Sequence, residues 1–166
     1  MSFKAFLKFV FFCFTAVVLT RCKDEKPTKS KDKVVVSFKK EGTLQLKKAE
    51  SDSIIITLDI EIADNDYETE TGLMYRTELA THQAMLFVLK EEKYQNFYMK
   101  NTRIPLDIIY IDSEKSIVSF QKNTKPFDET SLPSEAPAKY VLEINEGLSD
   151  EWELEVGDKI VFEVIK

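Results

Sequence analysis

Five polar residues sit inside otherwise apolar stretches of this chain: Arg76, Lys100, Asn101, Asp107 and Glu143. A charged or amide group among apolar neighbours is either paired in a buried network or aimed at a ligand. As a network, Arg76 or Lys100 would join Asp107 or Glu143 and hold strands in register. As a site, the same five groups would orient a bound molecule, with the polarisable side chains of Met74, Met85 and Met99 lining a shared apolar pocket.

Other routes to chemistry close early. His82 is the one histidine of the chain, so no metal site built on two or more histidines can form. A Ser-His-Asp triad would need that same residue, and no Gly-x-Ser-x-Gly elbow is present. His82 reads as an ordinary surface-loop residue. Asp64-Asn65-Asp66-Tyr67-Glu68 invites a calcium loop, but such a loop needs Gly at its sixth position and Glu at its twelfth. Thr69 and Tyr75 stand there, so helix capping is the better reading. No metal and no cofactor are expected. Acids are abundant, which leaves a paired-carboxylate hydrolase open, with Asp107 or Glu143 as acid or base.

The elements that must position these residues are mostly strands. Ile54, Ile56, Leu58, Ile60 and Ile62 alternate with Thr57, Asp59 and Glu61, a period of two with one buried and one wet face. Further strands are expected at Val34 to Phe38, with Gly42 to Leu46 as its hairpin partner, and at Met85 to Leu89 and Asn96 to Lys100. Asp107 to Ile111 and Ser116 to Gln121 follow, joined by a turn, and Lys139 to Ile144 and Lys159 to Ile165 complete the set. Asn65 or Asp66 can cap a short helix over Tyr67 to Arg76, with Glu68 and Glu70 early, where the dipole favours anions. A further helical turn is expected over Ser149 to Trp152, and a tight turn at Val156-Gly157-Asp158. Pro126, Pro133 and Pro137 mark a long loop between residues 122 and 138. This pattern is mainly β: a compact β-sandwich or barrel with one or two short helices.

The N-terminus carries its own pattern. Lys4 and Lys8 precede a charge-free run from Phe9 to Thr20, shorter than the roughly 20 apolar residues of a bilayer span. It reads as a signal peptide over residues 1–21, with an uncleaved membrane anchor as the alternative. Leu19-Thr20-Arg21-Cys22 resembles the lipobox of bacterial lipoproteins, although Arg21 departs from the usual small residue. Cys22 would then receive the lipid. Cys13 would leave with the leader, and no internal disulfide could form. Residues 22–33 are charged and nearly devoid of apolar groups, so they read as a flexible tether. Cys-Lys-Asp-Glu there resembles a surface-export signal of some Gram-negative lipoproteins; a generic charged linker explains it equally well. The single domain is residues 34–166. Of the chain's 23 basic and 29 acidic residues, this domain keeps 15 and 26, a net charge of about −11. Such a domain is repelled by phosphate backbones, so nucleic acid is not an expected partner.

The densest motifs run in order: Gly72-Leu73-Met74-Tyr75-Arg76, Ala84-Met85-Leu86-Phe87, Phe97-Tyr98-Met99-Lys100-Asn101-Thr102, Ile104-Pro105-Leu106-Asp107, Val141-Leu142-Glu143 and Gly157-Asp158. Together they closely resemble the domain-of-unknown-function 192 family over roughly residues 55 to 165. Ala84 replaces a usual Gly, and Tyr98 a usual Trp. The resemblance implies a compact, mainly β domain, often secreted or membrane-attached, and assigns no biochemical role. The expectation is therefore a non-catalytic binding or structural module of the cell envelope. Its lipid would hold it at the membrane, on the periplasmic face or the outer surface of the outer membrane. Its partner would be a small molecule, a glycan or an envelope protein. The alternative is a hydrolase acting on envelope carbohydrate or peptide.

Overall fold

The computed structural model describes residues 37–165. The leader, Cys22, the tether and Val34 to Val36 lie outside the described residues. The described residues belong to one compact unit. Among the described residues seven strands make one sheet: β1 (Gly42–Lys47), β2 (Ile54–Ala63), β3 (Gln83–Phe97), β4 (Leu106–Ile111), β5 (Ile117–Thr124), β6 (Leu132–Asn145) and β7 (Lys159–Val164). Their order in space is β5-β4-β6-β3-β2-β1-β7. The sheet curls into a half-barrel. The fold is thus mainly β, as expected, but neither a sandwich nor a closed barrel. At the edges, the start of β5 and the start of β7 are linked by an isolated bridge, Ser116 to Lys159, and a few backbone bonds around it.

Period-two alternation sorts the core into two clusters. Ala84 and Leu86, Ile109 and Ile111, and Leu142 and Ile144 fall in one of them. Met85 and Phe87, Ile108 and Tyr110, and Val141 fall in the other. Both faces of the central strands are therefore covered, and every residue of β4 is buried. Helix α2 (Leu148–Glu151) buries Leu148 in the first cluster. The second is covered in part by Leu73, Met99 and Ile104 from irregular segments.

Those segments exist because of one topological feature. β2 and β3 are parallel, pairing Asp59 with Gln83 through Ala63 with Phe87. A parallel pair cannot be joined by a tight hairpin; it needs a crossover. That crossover contains α1 (Asp66–Thr71) and the Gly72 to Arg76 motif. Asn65 caps α1 by accepting a hydrogen bond from the Glu68 N–H at 3.0 Å. The helix ends at Thr71, five residues short of the expected Arg76, with Gly72 as its C-cap. The φ of Gly72 is 47°, and a Cβ there would stand 2.8 Å from Phe87 Cζ, so the chain needs glycine to turn this close over the sheet.

Three other expectations change. β1 pairs with β2 and β7, and of its expected hairpin partner the described residues, Ser37 and Phe38, are not in a strand. β3 ends at Phe97, leaving Tyr98 to Asn101 as a loop. The long proline-marked loop shrinks to residues 125–131, because Pro133 and Pro137 lie within β6, opposite Asn96 and Tyr94. A proline lacks the N–H for a ladder bond. Side chains take over part of the pairing: Gln95 N–H donates to Ser134 Oγ at 2.9 Å, and Gln95 Nε2 to the Ala138 carbonyl at 3.0 Å.

Candidate functional site

The crossover and the 98–101 loop meet across one open cleft of about 790 Å³. Glu61 and Ile62 from β2 and Met85 from β3 line it. So do Met74, Tyr75 and Arg76 of the crossover, and Tyr98, Lys100 and Asn101 of the loop. The two loops are tied together by the Tyr75 N–H donating to the Asn101 carbonyl at 2.9 Å. Both residues are left-handed, with φ of 65° at Tyr75 and 57° at Asn101. Asn tolerates that region; an aromatic residue there carries strain that the surroundings must hold.

In the cleft wall, Arg76 Nη2 bonds Glu61 Oε2 at 2.6 Å, with both side chains over nine-tenths buried. Glu61 Oε1 accepts the Lys39 N–H at 2.7 Å. Arg76 is therefore paired, but with neither of the expected partners. Glu61 was assigned to the wet face of β2. It is only 5% exposed because the crossover covers that end of the strand. Lys100 is exposed and reaches Glu129 only at 4.0 Å. Around the rim, Tyr67, Tyr75 and Tyr98 all remain exposed.

Asp107 lies elsewhere. It is fully buried, and its two carboxylate oxygens accept the backbone N–H groups of Asn123 at 2.9 Å and Ser149 at 3.0 Å. Gly147, the N-cap of α2, has no side chain to cap that helix, and Asp107 supplies the missing acceptor from β4. Its role is structural. Asp107→Ala strands the buried Ser149 N–H, at a cost of roughly 1–3 kcal/mol, and frees the partly buried Asn123 N–H to water. Chemical denaturation should show that loss, with Asp107→Asn recovering part of it; a near-native midpoint would contradict the assignment. Asp158 of the Gly157-Asp158 motif acts similarly, accepting the Ala49 and Glu155 N–H groups.

Glu143 is separate again. It stands between Met85 of β3 and Ile108 of β4 on the face beneath the crossover. Burial holds its carboxyl up at about 8, opposed only by the hydrogen bond from the Leu73 N–H. Its Oε2 has no hydrogen-bond partner. Glu143 helps to line a second, smaller cavity of about 230 Å³ that shares Glu70, Thr71, Gly72, Met74 and Tyr98 with the main cleft.

Three of the five sequence candidates, Arg76, Lys100 and Asn101, thus line one cleft with Met74 and Met85. Asp107 and Glu143 do not, and Met99 is buried in the core. Sequence reasoning missed Glu61 and the tyrosine rim. Tyr75 and Tyr98 could have been found, since each interrupts a motif with a large amphipathic ring. Nothing in the alternation around Glu61 signals its burial. Among the described residues, no three His, Cys, Asp or Glu side chains group as metal ligands.

A half-barrel with a parallel crossover covering one face defines a small β domain with a loop-built cleft, and known proteins share its fold. The family model DUF192, described as an uncharacterized ACR, matches residues 46–162. The chain belongs to this family. A UPF0127 protein of Pyrococcus abyssi is 35% identical over 106 residues, covering 61% of this chain and 83% of the relative. A UPF0127 protein of Thermococcus sibiricus is 30% identical over 110 residues, covering 63% of this chain and 66% of that protein. The crystal structure of a protein of unknown function from Novosphingobium aromaticivorans aligns with a TM-score of 0.67 at 34% identity, over 72% of this chain and 83% of that one. A Sinorhizobium meliloti structure, described as a candidate transcription regulator, aligns with a TM-score of 0.71 at 32% identity, over 76% of this chain and 96% of that one.

Proposed function

We propose that this domain is a non-catalytic ligand-binding module, held at the cell envelope by a lipid on Cys22, with the 790 Å³ cleft as its binding site. The observation that carries the reading is the wall of that cleft. Arg76 and Glu61 are already paired with each other, while Tyr67, Tyr75 and Tyr98 are left exposed around them. Exposed aromatic rings around a preformed hollow that holds a few polar groups are what recognition of a glycan, a peptide or another amphipathic small molecule requires. The left-handed Tyr75 adds support, because backbone strain persists where it serves a purpose.

Unbiased screening of glycan, peptide and small-molecule collections by thermal shift tests it. A ligand that binds only the folded state raises the midpoint. The shift should vanish in Tyr75→Ala and Lys100→Ala, whose side chains are exposed and whose loss costs little stability. A shift unchanged in both variants would move the site elsewhere. The anchor has its own test: Cys22→Ser should abolish lipid labelling and release the protein from membranes, and labelling unaffected by the substitution would remove the envelope reading.

One observation favours the hydrolase alternative. Glu143 carries an unpartnered carboxyl oxygen in a cavity wall, as a proton donor would. That reading now rests on Glu143 alone, since Asp107 is engaged by backbone. It requires turnover of a bound ligand that Glu143→Gln abolishes.

A further inference from the structure

We propose that the 230 Å³ cavity behind Gly72 is a second site, for a small organic ammonium ion whose charge pairs with Glu143 and whose alkyl part lies among Leu73, Phe87 and Phe97. The site goes beyond the reading of the main cleft and stands without it.

Its lining contains two carboxyl groups, Glu70 and Glu143, and no Lys, Arg or His. Glu143 is 6% exposed, flanked by apolar side chains on both neighbouring strands. Its one polar contact within the protein is the Leu73 N–H. The Tyr110 hydroxyl, whose ionisation the Glu143 charge opposes, donates to the Leu132 carbonyl at 2.6 Å rather than to Glu143. A buried acceptor left without a partner is uncommon in a folded protein. The carboxyl plane rotates easily, so either oxygen can face the cavity. The neutral polar side chains of the lining, on Thr69, Thr71, Gln95, Asn96 and Thr102, each carry an oxygen that can accept, and three aromatic rings, Phe87, Phe97 and Tyr98, complete the wall. A donor-only cation with an apolar body answers each feature: the ammonium donates to the carboxylate and the oxygens, and the rings attract its charge. The domain's net charge of about −11 favours its approach.

The pairing has a proton signature. Glu143 is protonated in the empty site at neutral pH, so binding a cation to its carboxylate releases a proton. Apparent affinity should rise about tenfold per pH unit until pH reaches about 8. A neutral ligand that accepts a hydrogen bond from the protonated acid would show the opposite trend, losing affinity above that pH.

Isothermal titration of the full chain with n-butylammonium chloride tests this, run in buffers of different ionisation heat and against n-butyramide and sodium chloride at equal ionic strength. The expected result is saturable butylammonium binding with release of a proton and little binding of the amide. Affinity should fall by more than about tenfold in Glu143→Gln and stay unchanged in Lys100→Ala, which lies outside this cavity. Proton release by the native chain is read without any variant. No butylammonium binding, binding without proton release, tighter binding of butyramide, or full affinity in Glu143→Gln would each overturn the proposal. Loss of ligands from the main cleft in Tyr75→Ala, with butylammonium retained, separates the two sites.

Discussion

Arg76→Ala destabilises the domain by about 3–5 kcal/mol, and Glu61→Ala does much the same. The two side chains meet at 2.6 Å, each more than nine-tenths buried. Removing one strands the charge of the other where water cannot restore its solvation. The pair itself is worth far less than either loss, because burying both charges costs nearly as much as their attraction returns. The double variant Arg76→Met with Glu61→Leu should therefore lie much closer to the native chain than either single variant. Urea midpoints for the native, single and double forms close the cycle. Additive losses would mean that the two residues act separately. A near-native Arg76→Ala would mean that the guanidinium serves the cleft and not the fold, since groups kept for binding are often poorly optimised for stability.

Raising the pH from about 5 to about 8 should cost this domain stability, and Glu143→Gln should remove most of that loss. The carboxyl of Glu143 is held up at about 8 by burial, against 4.5 for a free glutamate. Between those values the folded chain holds a proton that the unfolded chain has released. Stability then falls with pH by about 1.4 kcal/mol per unit. The Glu143 contribution is fully present below pH 4.5, declines through the window, and is gone once the folded carboxyl ionises. Carboxylates held low by the fold act in the opposite sense and at lower pH. Glu41, bonded to Lys39 and to the Ile62 N–H, is one. The clean measurement is therefore the difference between the native chain and Glu143→Gln across pH 5 to 9. Glu143→Gln should gain on the native chain steadily up to about pH 8. A pH-independent difference would show that the carboxyl titrates normally and is hydrated. An ammonium ligand in the Glu143 cavity would offset the loss at the upper end of the window.

The mainly β character, most strand positions, the Asn65 cap and the turn at Gly157 were legible in the sequence. Their causes are local: alternation along Ile54 to Ile62, a short polar side chain before a helical turn, a glycine with positive φ. The same local reading failed where a partner came from far along the chain. Pro133 and Pro137 look like loop residues, and only side-chain bonds from Gln95 and Ser134 admit them to β6. The order β5-β4-β6-β3-β2-β1-β7, and so the open half-barrel, depends on which edges find each other; alternation says only which face is apolar.

The site divides in the same way. That Arg76, Lys100, Asn101, Asp107 and Glu143 had to be paired or functional followed from their apolar company alone. Which groups each one meets was decided by distances in space. Asp107 caps a helix whose own N-cap is glycine, 42 residues away from the N–H it binds. Glu143 meets neither Arg76 nor Lys100 because the strands beside it present Met85 and Ile108. Glu61, which alternation assigned to water, became Arg76's partner because the β2–β3 pair is parallel. The crossover that a parallel pair requires folds back over the end of β2 and takes that carboxylate out of solvent. A strand's period determines which side a residue faces; whether that side is wet is decided by what the rest of the chain lays upon it.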